Sequence, residues 1–108
     1  MTTMNNFVQL IGRAGNDPEI KTLENDRKMA RFSMATTTYY TNQKGERTED
    51  TQWHQLVAWG KTAELVEKLV KKGKEMAVSG KLNNNSWEDS DGNKRYSVEV
   101  LLTEIMVF

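Results

Sequence analysis

The chain has 108 residues, 37% hydrophobic and 28% charged, with 15 Lys plus Arg against 15 Asp plus Glu. At this length one domain with a modest core is expected, and zero net charge excludes a surface uniformly coated in positive charge, though not a local basic patch. There is no cysteine, which excludes disulfides, thiolate metal sites and cysteine nucleophiles. The start, Met1 to Asn6, has neither the basic flank nor the apolar stretch of a secretion leader. No apolar run approaches the ~18 residues of a membrane span, so a cytoplasmic location is the expectation.

The first strand is expected at Phe7 to Gly12, apolar on both faces apart from Gln9. A turn follows at Gly15-Asn16-Asp17-Pro18, then a short extended piece, Glu19 to Thr22, and a polar turn at Glu24 to Asp26. The second long strand runs from Met29 to Tyr40, with Phe32, Met34 and Tyr40 on one face and Arg31, Ala35 and Tyr39 on the other. Its threonine run and tyrosine pair suit an extended chain. Thr41 to Asp50, with Gly45 and no large apolar residue, predicts an exposed, mobile loop. The third strand, Thr51 to Trp59, places Trp53, Gln55, Val57 and Trp59 on one face and His54, Leu56 and Ala58 on the other.

The period then changes. Ala63, Val66 and Val70, flanked by Leu65 and Leu69, make a helical stripe. Glu64 and Glu67 precede Lys68, Lys71 and Lys72, as the helix dipole favours, and the pairs Glu64/Lys68 and Glu67/Lys71 have i,i+4 spacing. Gly73 is placed to cap the helix. Two strands follow, Glu75 to about Trp87 and Lys94 to about Val107, joined by a turn at Asp89 to Asn93. Three strands, one helix and two strands is the order of an all-β protein with one helix, the OB-fold. That fold is a five-stranded Greek-key barrel (β-β-β-α-β-β) whose strand 2–3 face and 1–2 and 4–5 loops hold oligonucleotides or oligosaccharides. The whole chain, 1–108, is expected to form this one domain.

Four aromatics are placed to form a discontinuous stacking track: Trp53 and Trp59 on one strand face, Tyr40 at the end of the neighbouring strand, and Trp87 near the polar tip of the last hairpin. Unpaired bases need such flat partners together with a cationic route for their phosphates. On pattern alone Trp53 and Trp59 suit a core as well as a platform, and Tyr40 suits half-exposed packing; the polar setting of Trp87 favours the platform. Candidate phosphate contacts are Lys61 beside Trp59, Lys71 and Lys72 near the helix end, and Arg95 on the hairpin of Trp87. For the helix-end lysines a solvated surface is the competing reading. Residues 61–81 hold six basic and three acidic residues, whereas residues 82–108 hold two and five, so neutrality is an average over unlike segments.

Nothing points to catalysis. His54 is the only histidine and faces away from the tryptophans, which favours packing or an interface. A single histidine gives no metal-ligand spacing, and Gly12-Arg13-Ala14-Gly15 lacks the Lys-Ser/Thr of a phosphate loop. A binder without metal or cofactor is expected, not an enzyme.

Over nearly its whole length the chain resembles the bacterial-type single-stranded DNA-binding proteins. The resemblance runs through residues 10–19 (LIGRAGNDPE), 32–36 (FSMAT), 51–61 (TQWHQLVAWGK), Lys72-Gly73 and 78–82 (VSGKL). It implies an OB-fold that assembles as a homotetramer, is nucleoid-associated, and binds and protects single-stranded DNA in replication, recombination and repair without reading sequence. It assigns stacking to Tyr40, Trp53, Trp59 and Trp87, phosphate contacts to positions such as Lys61 and Lys72, and subunit contacts to the first strand (Val8, Leu10) and His54. The family's glycine/proline-rich tail and acidic tip are not among these 108 residues, so the expectation is either a naturally short form or a truncated chain, without tail-mediated recruitment of replication and repair enzymes by these residues. The segment 83–87 (NNNSW) is uncharged where relatives carry basic residues, Gln55 is another such position, and Tyr40 stands where tryptophan is common. These departures predict weaker binding in the same mode, and they keep open the alternative of an OB-fold protein-interaction module with little DNA affinity.

Overall fold

The computed structural model describes residues 5–108; Met1 to Met4, part of the stretch read for a leader, lie outside the described residues. The strands are β1 (Val8–Ala14), β2 (Glu19–Thr22), β3 (Lys28–Thr41), β4 (Arg47–Trp59), β5 (Glu75–Glu88) and β6 (Lys94–Val107), with one helix, α1 (Gly60–Leu69), between β4 and β5. The sheet runs β1-β5-β6-β4-β3, and β1 meets β3 again through Arg13↔Ala35 and Ala14↔Met34, which closes a five-stranded barrel. The short β2 lies on β3 beside Lys28 to Arg31. This is the OB-fold architecture expected from the element order.

Closure depends on a close approach that only glycine permits. A Cβ on Gly12 would strike the carbonyl of Ala35, so glycine lets β1 cross from β5 onto β3. Inside the barrel lie Phe32, Met34, Leu56, Met76, Val78, Val100 and Leu102, with Ala63 and Val66 of α1 and the following Val70 sealing one end. Burying each larger side chain contributes about 1.5–3 kcal/mol. These residues make even-numbered positions of β3 and β4 the inner face, so the odd-numbered ones point outward. Met29 and Val57 are also buried, but they lie outside that core cluster, on the outer face.

Two expectations are corrected. First, half of the segment read as a loop is strand: β3 and β4 pair from Met29↔Trp59 out to Thr41↔Arg47, leaving only Asn42 to Glu46 as the turn. Asn42 Oδ1 accepts from the Lys44 and Glu46 N–H groups, which lets a polar sequence turn tightly.

Second, the helix ends earlier. Val70 is its C-cap, and Gly73, with φ +85°, belongs to a separate turn in which the Lys74 N–H bonds the Lys71 carbonyl. Lys71 and Lys72 therefore lie beyond the helix, and Glu67 pairs with Lys28 at 3.0 Å in place of Lys71. Leu65 and Leu69 flank the stripe, as read from the sequence, and are exposed.

The alternation of β6 is interrupted once. The register shifts from Ser79↔Glu104 to Gly80↔Leu102, so Thr103 is the extra residue of a bulge. Val100 and Leu102 point inward before it and Ile105 and Val107 after it.

Val8 and Leu10, expected at a subunit contact, are half-buried and pack against the core within this chain. On β1 it is Gln9, Ile11 and Arg13 that are exposed, as is Phe7 just before the strand. The β1 edge away from β5 has no strand partner from Val8 to Gly12 among the described residues.

Candidate nucleic-acid interface

The outer pleat of β4 carries Trp53, Gln55, Val57 and Trp59, opposite Ala35, Ser33, Arg31 and Met29 of β3. On its other side β4 runs parallel to β6, with Val57 beside Leu101. The outward residues of β6, namely Leu101, Glu99, Ser97 and Arg95, are in turn paired with Lys81, Asn83, Asn85 and Trp87 of β5. One continuous face therefore connects Trp53 and Trp59 to Trp87. Trp53 is 61% exposed and Trp87 51%, areas that folding alone would bury.

The loop beneath Trp53 is built to receive it. The ring lies against Gly15 so closely that a Cβ there would collide with its edge. Asn16 Oδ1 accepts from both the N–H (2.9 Å) and the hydroxyl (2.6 Å) of Ser33, pinning the loop to β3. Asp17 Oδ1 accepts from the Lys72 N–H at 2.9 Å, and the Gly73 N–H donates to the Ala14 carbonyl at 2.8 Å. Lys71 and Lys72 are thereby held against the loop that supports Trp53. Both are exposed, as is Lys61 in the first turn of α1 next to Trp59.

Trp59 is half-buried, with the Arg27 guanidinium 4.4 Å from its ring centroid. A planar cation on an indole contributes about 0.5–1 kcal/mol at an exposed site and is itself a surface on which a base can stack. Arg95 is less free than its position suggests, because its Nε donates to Asp89 Oδ2 at 2.9 Å. That guanidinium, helped by the N–H groups of Asn93 and Asp91, holds the Asp89 carboxyl below the ordinary carboxylate value. Near the centre of the face Arg31 lies 3.8 Å from Glu99, whose Oε1 accepts from Asn85 at 2.8 Å.

Tyr40 is not on this face. It pairs with Thr48 on the pleat of Phe32 and His54, whereas Tyr39 shares the pleat of Trp53 and carries Arg47 over its ring at 4.4 Å. The signal was present: once Phe32 and Met34 are taken as core, alternation puts Tyr40 with them and Tyr39 outside. His54 points inward beside Leu56, is half-buried, and its Nε2 is 2.8 Å from Thr36 Oγ1. Where the β3–β4 and β5–β6 ribbons part, a cleft of about 200 Å³ opens between Trp53 to Gln55 on one side and Leu82, Val98 and Glu99 on the other.

Comparison with known proteins bears on this surface. The model of the single-strand binding protein family matches residues 4–108. The chain belongs to that family. It is 36% identical over 103 residues to Single-stranded DNA-binding protein 1 of Chlorobaculum tepidum, covering 94% of this chain and 64% of the relative. It is 38% identical over 103 residues to Single-stranded DNA-binding protein 1 of Xylella fastidiosa (94% and 76%). It is 41% identical over 99 residues to Single-stranded DNA-binding protein of Rhizobium meliloti (90% and 57%). The chain thus spans less than two thirds of two of these three relatives. Among solved structures, Plasmodium falciparum SSB in complex with ssDNA superposes with a TM-score of 0.89 at 27% identity, over 100% of this chain and 98% of that one.

Proposed function

We propose that this chain binds single-stranded DNA without sequence preference, as a non-enzymatic protein of replication, recombination and repair. Bases stack on Trp53, Trp59 and Trp87, with Tyr39 extending the row, while Lys61, Lys71, Lys72 and Arg95 contact phosphates. The observation that carries this reading is the continuous outer face on which two tryptophans stand more than half exposed. Stacking contributes about 1–3 kcal/mol per base and does not depend on base identity. Arg95 is paired and residues 83–86 are uncharged, so stacking supplies more of the affinity than charge does and the salt dependence is shallow.

The working form is a homotetramer. The unpaired β1 edge and the exposed Ile11, which lies in register with Ala77 and through it with Met106, support association through this side of the barrel. A cytoplasmic, nucleoid-associated location agrees with that role; no helix among the described residues is long and apolar enough to cross a membrane.

The test is titration with oligo-dT. Tryptophan fluorescence is quenched in the wild type, and the folded Trp53→Ala/Trp87→Ala double variant binds at least tenfold more weakly. Unchanged affinity in that variant defeats the stacking assignment. Absence of any gel shift at low salt favours the protein-interaction module, for which the acidic, charge-paired final hairpin is the supporting feature. Light scattering at four times the chain mass checks the assembly.

A further inference from the structure

Arg31 and Glu99 approach each other across β4. Arg31 stands in register with Val57, midway between Gln55 and Trp59 on the outer pleat, and Glu99 comes from β6 on the far side of the same strand. The pair spans the row of outward residues between Trp53 and Trp59. This crossing explains why Val57 is only 2% exposed although it lies outside the core cluster. A nucleic-acid strand following β4 from one tryptophan to the other meets this ion pair in its path.

The two partners are held unequally. The Glu99 side chain is 14% exposed and accepts from Asn85 Nδ2 at 2.8 Å, so it keeps a hydrogen bond when Arg31 leaves. The Arg31 side chain is 49% exposed, and its nearest approach to Glu99 is 3.8 Å, too long for a hydrogen bond. By contrast, Arg95–Asp89 and Lys28–Glu67 close to 2.9 and 3.0 Å. A half-exposed ion pair this long contributes little to folding, whereas a guanidinium meeting a phosphate gains a bidentate, charge-assisted contact.

We propose that Arg31 is a further phosphate-binding residue, parked on Glu99 in the free protein and transferred to the DNA backbone when a strand occupies the Trp53–Trp59 row. Glu99 remains in place on Asn85 and acts against binding, because its charge then faces a phosphate without its partner. The site thus carries its own competitor, which lowers affinity and hastens release. This inference rests on the single-stranded DNA reading above and adds a residue and a sign to it.

The test measures affinity for a labelled oligo-dT by fluorescence anisotropy across a salt series, with thermal unfolding as a check on folding. In Arg31→Gln the slope of log K against log salt falls in magnitude by about 0.7, the increment for one phosphate contact on a single strand. Affinity at low salt falls about two- to fivefold. Arg31→Lys restores the slope. Glu99→Gln keeps an acceptor for Asn85, tightens binding by about two- to fivefold and leaves the slope in place. A slope unchanged in Arg31→Gln, or weaker binding in Glu99→Gln, overturns the proposal while a binding wild type upholds the function. A wild type that does not bind the oligonucleotide at low salt overturns both.

Discussion

The six-membered ring of Trp53 rests directly on Gly15, occupying the space in which any other residue would carry its Cβ. The most exposed tryptophan of the face is therefore oriented from below by a residue in the β1–β2 loop, and that loop is fixed to β3 through Asn16 and Ser33.

Gly15→Ala is expected to separate binding from folding. The colliding atoms belong to the far end of an exposed side chain and to the Ser33 hydroxyl, so the ring can swing aside. Stability should change by about 1 kcal/mol or less, since replacing glycine also restricts the unfolded chain. Binding should weaken by about 1–3 kcal/mol as one platform is lost. Denaturant unfolding followed by tryptophan emission, together with anisotropy titration, checks both halves. An altered emission with unchanged affinity would show that the ring's orientation is not used.

Tyr39 and Tyr40 provide a test of strand parity. They are adjacent in sequence and similarly exposed, at 57% and 54%, but only Tyr39 shares the pleat of Trp53. Tyr39→Ala should weaken oligo-dT binding by about tenfold, near the middle of the range for one stacked base. Tyr40→Ala should remain within twofold of wild type. The reverse order, measured in the same titration, would mean that the strand wraps the other side of the β3–β4 ribbon.

The Asp89–Arg95 pair predicts a pH response confined to acid. Arg95 first, then the Asn93 and Asp91 N–H groups, lower the Asp89 pKa from its ordinary 3.8, against the upward push of burial. A depressed folded-state pKa stabilises the hairpin fully above the ordinary value, and that stabilisation is lost as pH falls below it through the folded value. Emission from Trp87, next to the turn, should therefore not respond to Asp89 at neutral pH and should change only below about pH 4. Asp89→Asn should abolish the acid step while keeping the Oδ1 acceptor for the turn. By releasing Arg95 from its partner it should strengthen the Arg95–phosphate contact and tighten oligo-dT binding at low salt by about two- to fivefold. A neutral-pH transition that survives in Asp89→Asn would assign the response to another group.

Much of the fold is legible in the residues because each element carries its own period. Phe32, Met34 and Leu56 declare one face of two strands, Ala63, Val66 and Val70 declare a helix, and Gly92 with its polar neighbours closes a hairpin. The errors fall where local chemistry permits two answers. Arg47 to Asp50 is polar enough for a loop, yet it is strand because the opposing Thr38 to Thr41 supplies the ladder hydrogen bonds. Thr103 is an ordinary strand residue locally, and its bulge follows from where β5 must sit to complete the barrel. Gly73 resembles a helix cap, but the chain leaves the helix at Val70 because that side chain is drawn into the core.

By itself the sequence determined the order of strands and helix, the family resemblance, and the aromatics Trp53, Trp59 and Trp87 with the lysines beside them. These are properties of residue type and short-range spacing. Only the tertiary structure decided that Tyr39 and not Tyr40 continues the row, that Gly15 seats Trp53, that Asp89 occupies Arg95, and that Arg31 meets Glu99 across β4. Each depends on which strands lie side by side and in what register. Barrel closure sets that register through contacts between residues far apart in the chain, and no local pattern of charges or side chains encodes it.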